Sequence, residues 1–237
     1  MFRNQMMRIH RAGWRTIVLD DLLNTDLNHL PEKSFFLTFD DGYECIYDYA
    51  FPIMEEFGFK GNIFIPSGKI GGRNDWDYHF LGTWYNHLNS QQIKELIAAG
   101  WQIGGHGVDH KAMTMLSDEE VSQQLAQSRD DLENEFGIKV NWFSFPFGRY
   151  NDKIVDKTCE SGYRGAIILS NGQPIESAKL LTVLVDAVYL FDLAVFVQRR
   201  LSRNGLYWLG SRFRKSLNWC SGGTILWNKW FRSEKKR

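Results

Sequence analysis

Short apolar runs alternate with segments of helical periodicity along most of the chain. SFFLTF (34–39) predicts a buried strand ending at Asp40-Asp41-Gly42. Residues 44–57 place Ile46, Tyr49, Ala50, Ile53 and Phe57 near helical spacing, with Pro52 predicting a kink or interruption and Gly58 a stop. GNIFIP (61–66) predicts a second strand. Residues 67–89, rich in Gly, Asn, Asp and aromatics, predict a long loop of the kind that usually serves function. Ser90 is expected to cap a helix over 91–99 that Gly100 closes, and WQIG (101–104) to form a strand running into His106. Ser117 and Glu120 form a capping box for a helix to about Phe136. VNWFSF (140–145) predicts a strand ending at Pro146. Helices over 152–161 and 190–202 and strands over 165–169 and 181–189 continue the alternation. Strands and helices in this order predict an α/β fold, a parallel sheet covered by helices, with no internal repeat.

Composition narrows the class. Of 237 residues 43% are hydrophobic, enough for a real core and too many for a disordered chain. Cys45, Cys159 and Cys220 are odd in number, far apart and in no metal-type spacing, so a reducing, cytoplasmic setting is expected. Residues 1–20 lack the apolar run of a secretory signal, and no stretch approaches the roughly 18 apolar residues of a membrane span. The net charge of zero hides an asymmetry: residues 199–237 hold 11 Lys and Arg against one acid, Glu234. That segment also carries Tyr207, Trp208, Trp219, Trp227 and Trp230. It reads as a basic aromatic tail on a domain spanning 1–198. The tail suits an anionic membrane surface, on the inner face, or docking on the acidic body.

Three predicted strands end in polar clusters, and parallel α/β folds bind ligands at the carboxyl ends of their strands. Adjacent Asp40 and Asp41 repel, and a cation on one would leave the other as a base; Asp-Asp-Gly is also ordinary turn chemistry. HGVDH places His106 and His110 four apart, a spacing that lets both imidazoles share a metal, and Gly104, Gly105 and Gly107 favour a tight loop there. With Asp41 these give a His-His-carboxylate set with open positions. In FSFPFGRYN (143–151), Gly148 allows a backbone N–H to turn into a site, although a plain strand-ending turn fits as well.

TFDDGY (38–43), HGVDH (106–110) and FPFG (145–148), in this order and spacing, resemble the polysaccharide deacetylase (NodB-homology) superfamily. The likeness extends through FPIMEEFGFKGNIFIP (51–66) and LSDEEVSQQLAQSRDDLENEFG (116–137), covers about residues 1–175, and is nearest the exopolysaccharide branch that deacetylates poly-N-acetylglucosamine. The resemblance implies a distorted (β/α) barrel with fewer than eight strands. It implies one divalent metal, zinc ahead of cobalt, nickel, manganese or iron, on Asp41, His106 and His110. It implies Asp40 as general base and the Phe147 backbone N–H, at a position usually Tyr, as oxyanion donor. Pro146, Arg149 and Tyr150 are the expected substrate contacts.

The chain also departs from the family pattern. Ser144 stands where many members carry an Arg that orients the base, with Arg149 close by. No His follows His110 to match the late general acid; His79 and His87 are the loop candidates, or Asp40 returns its own proton. The early strand with a Tyr-His pair has no counterpart in FRNQMM. The expected function is removal of N-acetyl groups from a polysaccharide or its precursor. The alternatives are O-deacetylation or deformylation of a glycan, or a metal-bearing glycan-binding scaffold. Nucleic acid is not an expected partner.

Overall fold

A computed structural model of the chain describes residues 1–26, 29–76, 84–169, 180–188 and 192–201. The tail beyond residue 201, with Cys220, and His79 in the long loop lie outside the described residues. The chain begins with helix α1 (Phe2–Arg11), strand β1 (Arg15–Thr16) and the short helix α2 (Asp21–Asn24). Then follow β2 (Ser34–Phe35), β3 (Thr38–Phe39), α3 (Phe51–Glu56), β4 (Asn62–Ile65), α4 (Ser90–Ala98), β5 (Gln102–Gly105) and α5 (Asp118–Phe136). The series ends with β6 (Trp142–Ser144), α6 (Asp152–Glu160), β7 (Gly165–Leu169), β8 (Leu181–Val185) and α7 (Ala194–Leu201). Strands β3 to β8 form one parallel sheet in chain order, curled into a half-barrel, while β1 and β2 pair separately. This is the distorted barrel with fewer than eight strands that the resemblance implies.

Alternation along the strands sorts the core into two layers. Ile63, Ile65, Ile103, Phe143 and Ala166 face the helices, in the larger cluster. Phe64, Trp142 and Ile167 face the concave side, where they meet Leu19, Leu22 and Leu23 of the α2 segment. That segment stoppers the barrel at the strands' N-terminal ends, and polar residues at those ends fasten it. Asn62 Oδ1 accepts from Leu19 N–H (2.9 Å), Gln102 Oε1 accepts from Asp20 N–H (2.9 Å), and the Asp20 carboxylate accepts from Asn141 Nδ2 (3.0 Å) and Trp142 Nε1 (3.0 Å). At the seam, α1 packs on α7 and sets Phe2 edge-on to Phe39 of β3. The buried Gln5 amide donates to the Asp192 carbonyl (2.7 Å). Helices thus stand where a closed barrel would have strands. Among the described residues no helix is long and apolar enough to cross a membrane.

Several expected boundaries shift for local reasons. The strand expected over 34–39 splits into β2 and β3 because its two halves take different partners, 34–35 pairing with β1 and 38–39 with β4. The helix expected over 44–57 is interrupted as Pro52 predicts: a π-helical turn (Ile46–Ala50) precedes α3, in whose first turn Pro52 needs no hydrogen bond. The cap of α4 is Asn89, in a capping box with Gln92; Ser90 is instead the first helical residue. The Ser117–Glu120 box stands as expected. Helix α7 (Ala194–Leu201) falls within the helix expected over 190–202.

Gly165 is a fixed point of this packing. A Cβ there would penetrate the buried Trp142 ring, which fills the barrel interior. Gly165→Ala is expected to destabilise the protein by about 1–3 kcal/mol, the usual range for overpacking, as measured by urea unfolding.

Candidate metal centre and active site

Because β3, β4 and β5 lie side by side and parallel, Asp40-Asp41 after β3 and His106 after β5 emerge on either side of the end of β4. Backbone bonds carry the alignment past the strands: His106 N–H donates to Ile65 O (3.1 Å), Ser67 N–H to Gly107 O (3.0 Å) and Gly68 N–H to Val108 O (3.0 Å). From α5, Gln124 Oε1 accepts from the N–H groups of Val108 (2.8 Å) and Asp109 (3.2 Å). The segment between the two histidines is therefore a pinned loop. Gly107 (φ 76°) and His110 (φ 55°) turn it left-handed, as the flanking glycines suggested.

The loop brings three side chains to one point. Asp41 Oδ1 stands 3.0 Å from His110 Nε2 and 3.4 Å from His106 Nε2. One ligand atom from each residue lies within 4.8 Å of the others. His106 and His110 are only 2% and 6% exposed. His106 Nδ1 donates to the Ser144 carbonyl (2.7 Å), which leaves its Nε2 lone pair directed at Asp41. Asp41 Oδ1 is buried and forms no well-aligned hydrogen bond, close as the nitrogens are. One carboxylate oxygen and two imidazole nitrogens converging on a point form a donor set for a cation, which would take the place of any proton on the nitrogens. Two zinc ligands at roughly 2.0–2.1 Å and a tetrahedral angle sit about 3.3 Å apart, close to both Asp41–imidazole separations, so the residue types and spacing suit that ion.

The electrostatics agree. Burial alone would raise the Asp41 carboxyl, but His106 and His110 outweigh it and hold the group well below the usual carboxylate range. Burial works against charge on His106, yet Asp41 and Asp40 outweigh it and raise that imidazole. A recess that stabilises a proton on a buried ring also stabilises a metal cation. Asp40 is reached by solvent but densely surrounded by protein. This crowding, with the charge of Asp41, raises its carboxyl, while His106 and His110 and a hydrogen bond from Ser144 pull it back. Solvent access keeps that rise smaller than a sealed carboxyl would show.

Three non-glycine residues among those described have positive φ: Asp41 (69°), His110 (55°) and Phe147 (60°). All three belong to this site, where such conformations, each costing about 1–3 kcal/mol, tend to cluster. Phe147 sits in a tight turn (Pro146–Gly148) after β6, and its ring packs 4.6 Å from that of His110. Pro146 is buried in the same turn. Arg149 is exposed and forms no ion pair with Asp40 among the described residues. Tyr150 turns back to pack on Phe145, ring centroids 5.1 Å apart.

Gln124 and Trp76 were not singled out in the sequence, and Ser144 and His87 take roles other than those expected of them. Ser144 holds His106 through its carbonyl, and its hydroxyl favours the ionised form of Asp40. Gln124 braces the histidine loop; its place seven residues into a helix that begins beside that loop was the available signal. Trp76 stacks on His110 at 4.3 Å. His87, considered only as a proton donor, is 3% exposed and gives its Nδ1–H to the Asp41 carbonyl (2.8 Å). Burial lowers the His87 pKa, so its remaining nitrogen is an acceptor, which suits bracing better than proton donation.

Known proteins carry the same arrangement of elements. The family profile described as polysaccharide deacetylase matches residues 28–166. YxkH of Bacillus subtilis is 28% identical over 173 residues, 72% of this chain and 58% of its own length. The poly-beta-1,6-N-acetyl-D-glucosamine N-deacetylase of Staphylococcus epidermidis is 25% identical over 167 residues, 67% of this chain and 55% of its own. The chain thus spans a little over half the length of these two relatives. The deacetylase PplD of Streptococcus pyogenes, solved in complex with acetate, superposes with a TM-score of 0.73 at 20% identity, covering 84% of this chain and 85% of its own. With a profile match over more than half its length, and with all three of its polar strand ends inside that match, the chain belongs to the polysaccharide deacetylase family.

Proposed function

We propose that this chain is a metal-dependent hydrolase that removes N-acetyl groups from the N-acetylated sugars of a polysaccharide or its precursor. The observation that carries the reading is a buried carboxylate–imidazole–imidazole centre with a second carboxylate, Asp40, beside it. The name of the staphylococcal relative, whose substrate is poly-N-acetylglucosamine, and the acetate held by the streptococcal protein support the same chemistry.

Asp41, His106 and His110 would hold the cation, and zinc suits two imidazoles and one carboxylate with an open position. The cation would supply polarisation of the acetyl carbonyl and acidification of water. Asp40 takes the proton of the attacking water, for which a carboxyl raised from its ordinary value is suited. The Phe147 N–H, turned by its left-handed backbone, offers a hydrogen bond to the oxyanion that develops as the carbonyl is attacked. As the C–N bond breaks, Asp40 returns its proton to the departing amine, and acetate and a free amino sugar leave. The roles of Pro146, Arg149 and Tyr150 as sugar contacts belong to the same proposal; of the three, Arg149 is the exposed one.

Three outcomes follow from these assignments. His106→Ala removes a ligand and should abolish stoichiometric zinc binding, read by elemental analysis after dialysis; zinc retained at the wild-type level rejects the site. Asp40→Asn should keep the metal and lose roughly 10²–10⁴-fold in kcat for acetate release from N-acetylglucosamine oligomers. A variant within a few fold of wild type removes Asp40 from the role of base. Ser144→Ala tests the neighbour of the base. The Ser144 hydroxyl stabilises ionised Asp40, so its loss raises that pKa. The acid limb of kcat/KM, where activity falls as Asp40 protonates, should therefore move to higher pH, and an unmoved limb separates Ser144 from the base.

A further inference from the structure

His87 lies nineteen residues before His106, in the loop, and belongs to none of the three clusters that end the strands. We propose that it is a positioning residue for the metal centre: its Nδ1–H locks the Asp41 backbone in the left-handed conformation that turns the carboxylate onto His106 and His110. The inference rests on the ligand assignment above but not on the substrate or the reaction.

Asp41 has φ 69°, and a residue other than glycine adopts this only where its surroundings fix it. The fixing contact on its carbonyl is the 2.8 Å bond from His87. A carbonyl can only accept, so Nδ1 of His87 must carry the proton. The imidazole has no freedom to leave. It is 3% exposed and lies flat on Tyr43 (5.1 Å between centroids, 19° between planes). It also packs on Trp76 at 4.8 Å, which in turn stacks on His110 at 4.3 Å. Its backbone is equally held: His87 N–H donates to Gly72 O (2.9 Å), and the neighbouring Leu88 N–H donates to Gly42 O (2.8 Å), one residue past Asp41. One side chain thus touches the carbonyl of the first ligand and, through one indole, the ring of another. His87 Nε2 is buried and has no hydrogen-bond partner among the described residues. The ring's hydrogen bonding therefore rests on Nδ1 alone, and an apolar ring would fill the same space without burying an unpaired nitrogen.

The discriminating variants are His87→Phe, which keeps the stacked ring and loses the donor, and His87→Asn, whose amide nitrogen reaches the place of Nδ1. Zinc affinity is measured by competition with a chromophoric chelator, and apo-protein stability by thermal unfolding. Loss of an outer contact to a metal ligand typically costs 10–100-fold in affinity. The Phe variant is expected to bind zinc about 10–100-fold more weakly, with apo stability near that of wild type and an altered cobalt(II) visible spectrum. The Asn variant is expected to recover most of the affinity. Unchanged zinc affinity in the Phe variant overturns the proposal, as does an Asn variant as weak as the Phe one. If His87→Phe does not fold, His87→Leu, close to Asn in shape but without a donor, takes its place in the same comparison. A wild-type protein that binds one zinc and releases no acetate defeats the deacetylase reading and leaves this one testable by affinity. A wild-type protein that binds no divalent metal defeats both.

Discussion

A buried carboxylate oxygen beside the nitrogens of two buried imidazoles demands positive charge between them, whether a proton or a metal cation. That constraint at Asp41, His106 and His110 organises the mouth of this barrel. Each candidate ligand is held by a neighbour outside the set: Asp41 by His87 through its carbonyl, His106 by the Ser144 carbonyl, His110 by the Trp76 and Phe147 rings. The strain of three left-handed residues is concentrated here, several kcal/mol in all at about 1–3 kcal/mol each, and such strain persists only where the surrounding structure over-determines it. The fold supplies that over-determination from its far end. The α2 segment is fastened beneath the sheet by Asn62, Gln102, Asn141 and Trp142, which fixes the starts of the strands whose other ends carry the ligands.

Much of this was legible in the sequence because strand ends are marked by abrupt changes of residue type. SFFLTF breaks at Asp40, WQIG at His106 and VNWFSF at Pro146, and a parallel sheet leaves such breaks on one side. The glycines around His106 signalled a tight loop, and a tight loop is what brings two imidazoles four residues apart to one oxygen. Helix caps were legible to within one residue; Asn89 rather than Ser90 caps α4 because Gln92, not a later residue, completes the box.

The rest was not legible because it depends on contacts between distant segments. Nothing in the local pattern around Leu19 and Asp20 announces a plug, since its partners are 43 to 122 residues away. Strand β2 separates from β3 because it pairs with β1, eighteen or more residues earlier, while β3 pairs with β4. His87 sits among aromatics in a loop whose composition gives no periodicity, and the antiparallel bridge between Tyr43 and His87 helps set it against Asp41. Ser144 looked like a loss, a small residue in place of a guanidinium. Its main-chain oxygen would serve His106 whatever the side chain, and its hydroxyl occupies the space beside the base.

That exchange has a chemical consequence. An arginine against Asp40 would stabilise the ionised carboxyl strongly, since an opposite charge at close range lowers such a pKa by one to three units. A hydroxyl does so by one neutral hydrogen bond, and no ion pair with Arg149 makes up the difference among the described residues. The Asp40 carboxyl is therefore left raised by crowding and by Asp41. A weakly held proton is easily returned but poorly captured; a raised carboxyl captures it better and still releases it to an amine, whose basicity is far greater. The chain has no histidine after His110 to act as a separate acid, and the same carboxyl is placed to serve both halves of the proposed reaction. On the proposed reaction, one raised carboxyl takes the proton of the water and returns it to the amine.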